Sequence, residues 1–169
     1  KQLNTPKANV YMSLRSPLTH DSARGQVLTQ LLVDSIQDNL NAYAYPAQLA
    51  GLDYAVYSHL RGITLRVGGY NDKLHVLMRR IMGQVAHPEI AEDRFEINRD
   101  RLLESLRNEK KQKPVQQATS ELQSALIEGA WSAEDQLAEA KTVTLEELRA
   151  FADKFLDQID PVMLAHGNL

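Results

Sequence analysis

Two short runs of β-forming residues, joined by a tight turn, constrain the fold more than any other feature of the sequence. The runs extend from Asp53 to His59 and from Ile63 to Gly69, and Leu60-Arg61-Gly62 separates them. Glycine supplies the backbone freedom that such a turn needs, so the segment predicts a β-hairpin. In the second arm, Ile63, Leu65 and Val67 alternate with Thr64 and Arg66, which predicts a sheet with one strongly apolar face.

Helical patterns surround this hairpin and predict the layer that covers the apolar face. A first strand, marked by Val10, Met12 and Leu14, precedes a long helix whose apolar stripe includes Leu31 and Leu32. Asp21 or Ser22 is expected to cap this helix, and Pro46 to break it near Tyr45. A second helix begins at Asn71 or Asp72 with a stripe that includes Leu77 and Ile81. Further helices are predicted over 90–113, 115–128, 133–141 and 145–158, with Ser132 and the pair Thr144 and Glu147 as caps, before a last strand over 162–166.

This order of elements predicts an α+β fold with two layers, in which helices pack on one face of a largely antiparallel sheet. We expect residues 1–169 to form a single domain. The N-terminal residues contain neither an initiator methionine nor the apolar region of a signal peptide, so we interpret the chain as a fragment of a larger multidomain protein.

Composition argues against several classes of function. The formal net charge of −3 disfavours a nucleic-acid-binding protein, and the apolar runs are far shorter than the ~20 residues that a spanning helix needs. We therefore expect neither nucleic acid nor membrane as a partner. The chain has no cysteine, and its five histidines are scattered rather than paired at helical spacing, so no zinc site and no catalytic residue are predicted in this chain.

Several segments resemble, in order, the third of the four homologous domains of the pitrilysin and insulin-degrading-enzyme family of zinc metallopeptidases. They are Pro6-Lys7-Ala8, Asn41-Ala42-Tyr43-Ala44-Tyr45, Gln48-Leu49-Ala50-Gly51-Leu52, Gly69-Tyr70-Asn71-Asp72-Lys73, Arg94-Phe95-Glu96-Ile97 and His166-Gly167-Asn168. The resemblance spans nearly the whole chain. It implies the same layered fold, and a non-catalytic domain that encloses a substrate chamber together with the catalytic domain of the same protein.

The family's catalytic domain carries an inverted His-x-x-Glu-His zinc motif on its first helix. The corresponding segment here, from Ala23 to Leu32, contains no histidine and no carboxylate. The resemblance therefore implies that zinc in the intact enzyme is bound by a different domain. It leaves the compartment open, periplasmic if the parent is like pitrilysin and cytoplasmic otherwise.

In this family the sheet face opposite the helices looks into the chamber, so the resemblance assigns peptide contact to that face. The alternation places on it Tyr11, Ser13 and Arg15 of the first strand and Thr64 and Arg66 of the hairpin. We expect arginine and tyrosine to hold peptide substrates, with Arg66 favouring acidic ones. Two alternatives stay open: a stand-alone binding or assembly module without peptidase activity, and an independent enzyme with an unrecognised site.

Overall fold

The computed structural model describes residues 6–109 and 111–168. Four strands form one sheet in the order β2-β3-β1-β4, and every neighbouring pair is antiparallel. The strands are β1 (Lys7–Arg15), β2 (Leu52–His59), β3 (Gly62–Tyr70) and β4 (Asp160–Gly167). The helices are α1 (Ala23–Leu49), α2 (Asn71–Ala86), α3 (Glu92–Glu109), α4 (Pro114–Leu126), α5 (Ala133–Ala140) and α6 (Leu145–Asp157), with a short 3-10 turn over Pro17–Thr19 before α1.

The helices cover one face of the sheet, as the sequence predicts, and the hydrophobic core lies between the two layers. Val10, Leu65 and Val67 point from the sheet into this core, where they belong to one cluster with residues of α1 and α2. The six residues that the apolar stripes assign to the core are all buried: Leu31, Leu32, Leu65, Val67, Leu77 and Ile81. The α+β, two-layer prediction is therefore confirmed.

The predicted hairpin is present, and its turn brings the backbone of β3 close to β1. Leu60 and Arg61 form the turn, and Gly62 is the first residue of β3. Gly62 has φ +155°, and an added Cβ would lie 1.9 Å from the carbonyl oxygen of Leu14. Any other residue would push β1 and β3 apart, so glycine is required here to preserve the pairing.

The prediction of a break near Tyr45 is wrong, because α1 continues through Pro46 to Leu49. Proline cannot donate a hydrogen bond to the carbonyl of Ala42, the residue four positions earlier. Ala42, Tyr45 and Pro46 are all exposed on this last part of the helix. Water can therefore bind the unpaired carbonyl, which lowers the cost of a proline near a helix end.

The predicted caps are confirmed at three helices. Ser22, rather than Asp21, accepts a hydrogen bond from the backbone N–H of Gly25 at the start of α1. Ser132 caps α5, and Thr144 with Glu147 forms the predicted capping box of α6.

Helix α4 has no buried residue, so it contributes little to the core that holds the other helices. Within the described ranges, no helix combines the length and apolarity needed to cross a membrane.

Strand β4 differs from the other strands because both of its faces are exposed. It begins two residues earlier than the sequence predicts and pairs with β1 along one side only. Val162, Met163 and Leu164 follow one another, and each exposes more than two fifths of its surface. The helix layer thus stops short of this edge of the sheet.

Candidate functional site: the open face of the sheet

The face of the sheet that points away from the helices is the candidate site, and we call it the open face. Pairing registers define its members, because directly opposed residues in an antiparallel sheet share a face. They are Asn9, Tyr11, Ser13, Arg15, Asp53, Ala55, Tyr57, His59, Thr64, Arg66, Asp160, Val162, Leu164 and His166.

All five residues that the sequence assigns to this face lie on it. Tyr11 stands directly opposite Arg66, and Ser13 stands opposite Thr64. Arg15 is at the end of the same strand, beside the hairpin turn. Tyr11 and Arg15 are exposed, while Ser13, Thr64 and Arg66 are half-buried. The structure therefore brings the predicted residues together, and their contact with substrate stays a prediction.

Arg66 is not a free cation, because its guanidinium donates to the carboxylate of Asp53 on the neighbouring strand. Asp53 is opposite Gly68 in the register, and an added Cβ at Gly68 would lie 2.9 Å from an oxygen of that carboxylate. Because Gly68 has no side chain, the carboxylate of Asp53 has room to reach Arg66. The hydrogen bond with Asp53 raises the pKa of Arg66, so the pair persists as an internally neutral unit.

Ser13 and His59 are in contact, but their geometry does not create a nucleophile. The hydroxyl oxygen of Ser13 lies 3.1 Å from Nε2 of His59. The backbone N–H of Arg61 donates to Nδ1 of the same ring at 3.2 Å. Nδ1 is therefore the acceptor nitrogen, so Nε2 carries the proton and donates to Ser13. A general base needs the opposite tautomer, in which Nε2 has a free lone pair that accepts a hydrogen bond from the hydroxyl.

The start of α1, where the family's catalytic domain carries its zinc motif, is occupied by structural contacts. Arg24 forms ion pairs of 2.7 Å with Glu139 and with Glu147, which join α1 to α5 and α6. Gly25 lies so close to Leu18 that an added Cβ would be 2.1 Å from the Leu18 carbonyl oxygen. Arg24 and Gly25 offer no ligand atom for zinc, and the carboxylates of Glu139 and Glu147 are both paired with the guanidinium of Arg24. In the part of the chain that the structure describes, no group of three or more potential ligand residues could hold a metal ion.

The sequence did not identify the apolar part of the open face outside β1 and β3. Tyr57 exposes 46% of its surface, and Val162 and Leu164 of β4 are also exposed. The alternation of Asp53, Ala55 and Tyr57 in β2 is a signal that would have found Tyr57. Strand β4 has no such signal, because apolar residues occupy both of its faces, and only the register with β1 assigns Val162 and Leu164.

The family follows from comparison with known proteins. The sequence profile described as the middle or third domain of peptidase M16 matches residues 1–139. The chain belongs to the M16 peptidase family. It is 37% identical over 165 residues to human insulin-degrading enzyme, which covers 97% of this chain and 16% of that protein. A putative zinc protease of Schizosaccharomyces pombe is 32% identical over 163 residues, covering 96% of this chain and 17% of that protein.

Solved structures confirm the fold of this M16 domain. The crystal structure of pitrilysin matches with a TM-score of 0.87 and 23% identity, covering 97% of this chain and 17% of that chain. A peptidase M16 inactive domain from Pseudomonas fluorescens matches with a TM-score of 0.74 and 15% identity, covering 98% of this chain and 42% of that chain. The chain thus spans about a sixth of the length of the curated relatives it matches.

Proposed function

We propose that this chain is a non-catalytic domain of a zinc metalloendopeptidase, and that its open face forms part of the wall of the substrate chamber. In the intact protein, zinc is bound by a different domain, and peptide hydrolysis takes place there. The family assignment supports the first half of the proposal. The open face supports the second half, because within residues 6–109 and 111–168 no helix covers this broad surface of the sheet.

The composition of the open face suits weak contact with many peptides. Tyr11, Tyr57, Val162 and Leu164 supply exposed apolar area on the same side of the sheet. Polar groups separate them, and the hydroxyl of each tyrosine offers a hydrogen bond beside its ring. Exposed aromatic and aliphatic side chains interspersed with hydrogen-bonding groups on one face suit contact with both the side chains and the backbone of a peptide.

Nuclear magnetic resonance titration of the 169-residue chain tests this proposal. The probe is the neutral peptide acetyl-Val-Tyr-Val-amide, and the expected result is a set of amide shifts confined to open-face residues such as Tyr11 and Tyr57. Replacing Tyr57 by serine should weaken binding by about tenfold, the effect of losing one aromatic contact. The matched control is Tyr45→Ser, because Tyr45 is an exposed tyrosine at the end of α1. Equal loss in both variants, or shifts confined to the helices, would contradict the proposal.

A second candidate function is assembly with the other domains of the same protein, and the exposed strand β4 favours it. Its outer edge has unpaired backbone groups, and Met163 and Leu164 are more than half exposed. An edge of this kind readily pairs with another strand. Leu164→Lys should then impair association with the separately produced catalytic half, whereas Val76→Lys on the exposed surface of α2 should not. Unchanged association of the Leu164→Lys variant would exclude this role for β4.

A further inference from the structure

Two arginines and a histidine lie at one corner of the open face, where β1 ends beside the hairpin turn. We call Arg15, His59 and Arg61 the basic corner, because Arg15 is opposite Gly62 at the end of the hairpin turn and the charges of both arginines act on the His59 ring. Both arginines are exposed. Over residues 6–109 and 111–168, neither of them forms an ion pair, whereas Arg24 and Arg66 are both paired with carboxylates.

The imidazole of His59 is a neutral donor within this corner. Partial burial lowers the pKa of the ring, and the positive charges of Arg15 and Arg61 lower it further. Nδ1 accepts from the backbone of Arg61, and the proton on Nε2 points to Ser13. The corner therefore presents two guanidinium groups and no basic nitrogen to a molecule that approaches the face.

Three carboxylates lie in the surroundings of the corner, and none of them pairs with its arginines. Asp160 of β4 is directly opposite Arg15 in the register. Asp21 and Glu128 line a cavity of about 810 Å³ to which Arg61 also contributes. No ion pair joins these carboxylates to Arg15 or Arg61 within the described ranges. Both guanidinium groups thus keep their bidentate donors available for an external acceptor.

Apolar surface begins one residue pair away from the corner. Tyr57 precedes His59 by two positions on the same face, about 7 Å along an extended strand. Val162 lies in the same row of the sheet as Ser13 and Thr64, and that row also contains Tyr57. A ligand in extended conformation can therefore place one group on the guanidiniums and its next side chain on this apolar row.

We propose that the basic corner binds a carboxylate of the peptide, so that the open face selects peptides in which a carboxylate lies beside an aromatic or aliphatic residue. This inference rests on the proposed function of the open face and names the substrate class for it. Arg15 and Arg61, rather than Arg66, then determine the selectivity for acidic peptides, because Arg66 is already paired with Asp53.

The carboxylate can belong to an acidic side chain or to the C-terminus, and the probes separate the two sources. They are acetyl-Glu-Tyr-Val-amide, acetyl-Val-Tyr-Val with a free C-terminal carboxylate, the neutral acetyl-Val-Tyr-Val-amide and acetyl-Lys-Tyr-Val-amide. At low salt, at least one carboxylate probe should bind about fivefold more tightly than the neutral peptide, and the lysine peptide more weakly. The carboxylate probe that shows the preference identifies the source. The preference should shrink at high salt, because the screening length falls.

Matched variants decide whether the basic corner carries this preference. The double variant Arg15→Gln and Arg61→Gln should lose it, while Asp160→Asn should increase it by removing a nearby negative charge. The control is Arg79→Gln with Arg107→Gln, which removes the same charge from exposed positions on α2 and α3. An equal loss in the control, or an unchanged preference in the corner variant, would overturn the inference.

The neutral peptide separates this inference from the proposed function. If the neutral and carboxylate probes bind the open face equally well, the result supports peptide contact by the open face and overturns carboxylate binding by the basic corner. Should none of the four probes shift an open-face resonance, both proposals are overturned. If only the carboxylate probes cause shifts, and the corner variant abolishes them, carboxylate binding by the basic corner is supported. General peptide contact by the rest of the open face is then rejected.

Discussion

The two faces of the sheet are built from the same strands but face different surroundings. On the covered face, Leu65 and Val67 are fully buried beneath α1 and α2. On the open face, their sequence neighbours Thr64 and Arg66 contact other side chains of the sheet and water. A single alternating strand therefore has two roles, because one face of it stabilises the fold and the other is left free for binding.

The largest expected effect comes from a pair of substitutions at adjacent residues of β3. Leu65→Ala removes a fully buried side chain and should lower the free energy of unfolding by about 2–5 kcal/mol. Thr64→Ala on the open face should cost less than about 1 kcal/mol, the range of strand propensity. Urea denaturation of both variants measures the difference. Similar losses in the two variants would show that the open face is part of the stabilising core.

A half-buried carboxylate in the helix layer, Asp34, makes the stability of that layer depend on pH. Desolvation, opposed by the hydrogen bond from Gln30 and reinforced by Asp38, raises the pKa of Asp34 from 3.8 to about 6. Because the folded-state pKa is higher, the destabilisation from Asp34 is small below pH 3.8, grows as pH rises to about 6, and is complete above that value. Asp34→Asn should therefore stabilise the chain by about 3 kcal/mol at pH 8.

The gain from Asp34→Asn should fall to about 0.2 kcal/mol at pH 3.5, where the folded chain and most of the unfolded chains hold the proton on Asp34. Denaturation midpoints at the two pH values measure it, and the low-pH arm serves as the control for unrelated effects of the substitution. A gain of equal size at both pH values would show that burial of charge at Asp34 is not its cause.

The smallest expected effect concerns the carboxylate of the open face. Asp53→Asn breaks the ion pair with Arg66, yet both side chains are exposed to water. Exposed pairs contribute about 0–1 kcal/mol, so the free energy of unfolding should change little. The freed guanidinium of Arg66 should instead strengthen binding of acetyl-Glu-Tyr-Val-amide. A large loss of stability without any change in binding would show that the Asp53–Arg66 pair stabilises the fold and does not affect peptide binding.

Local patterns in the sequence predict most of the helices, the hairpin and the core. Leu31 and Leu77 lie on clear apolar stripes, and the capping box at Thr144 marks the start of α6. The break at Pro46 was predicted wrongly because the local rule takes no account of the exposure of that end of α1. The observed helix ends differ from the predicted ones by a few residues, because tertiary packing, which local patterns do not encode, decides where the last turn ends.

The members of the open face on β1 and β3 were predictable because their alternation is local. The pairing of Arg66 with Asp53, the contact of Ser13 with His59 and the place of Leu164 depend on the register between strands. Residues distant in the sequence determine that register, and no single segment encodes it. The sequence therefore predicted which residues share the face but not which of its charges are already neutralised.

The most direct test of peptide binding by the open face measures where a bound peptide lies. The chain has no cysteine, so a single cysteine can be placed at Thr64 on the open face or at Val76 on the exposed surface of α2. Bromoacetyl-Val-Tyr-Val-amide and bromoacetamide are then compared as alkylating reagents, which corrects for the intrinsic reactivity of each thiol. The peptide reagent should be favoured at Thr64→Cys, by about tenfold through proximity, and not at Val76→Cys. Equal ratios of the two reagents at both positions, or a larger ratio at Val76→Cys, would contradict peptide binding by the open face.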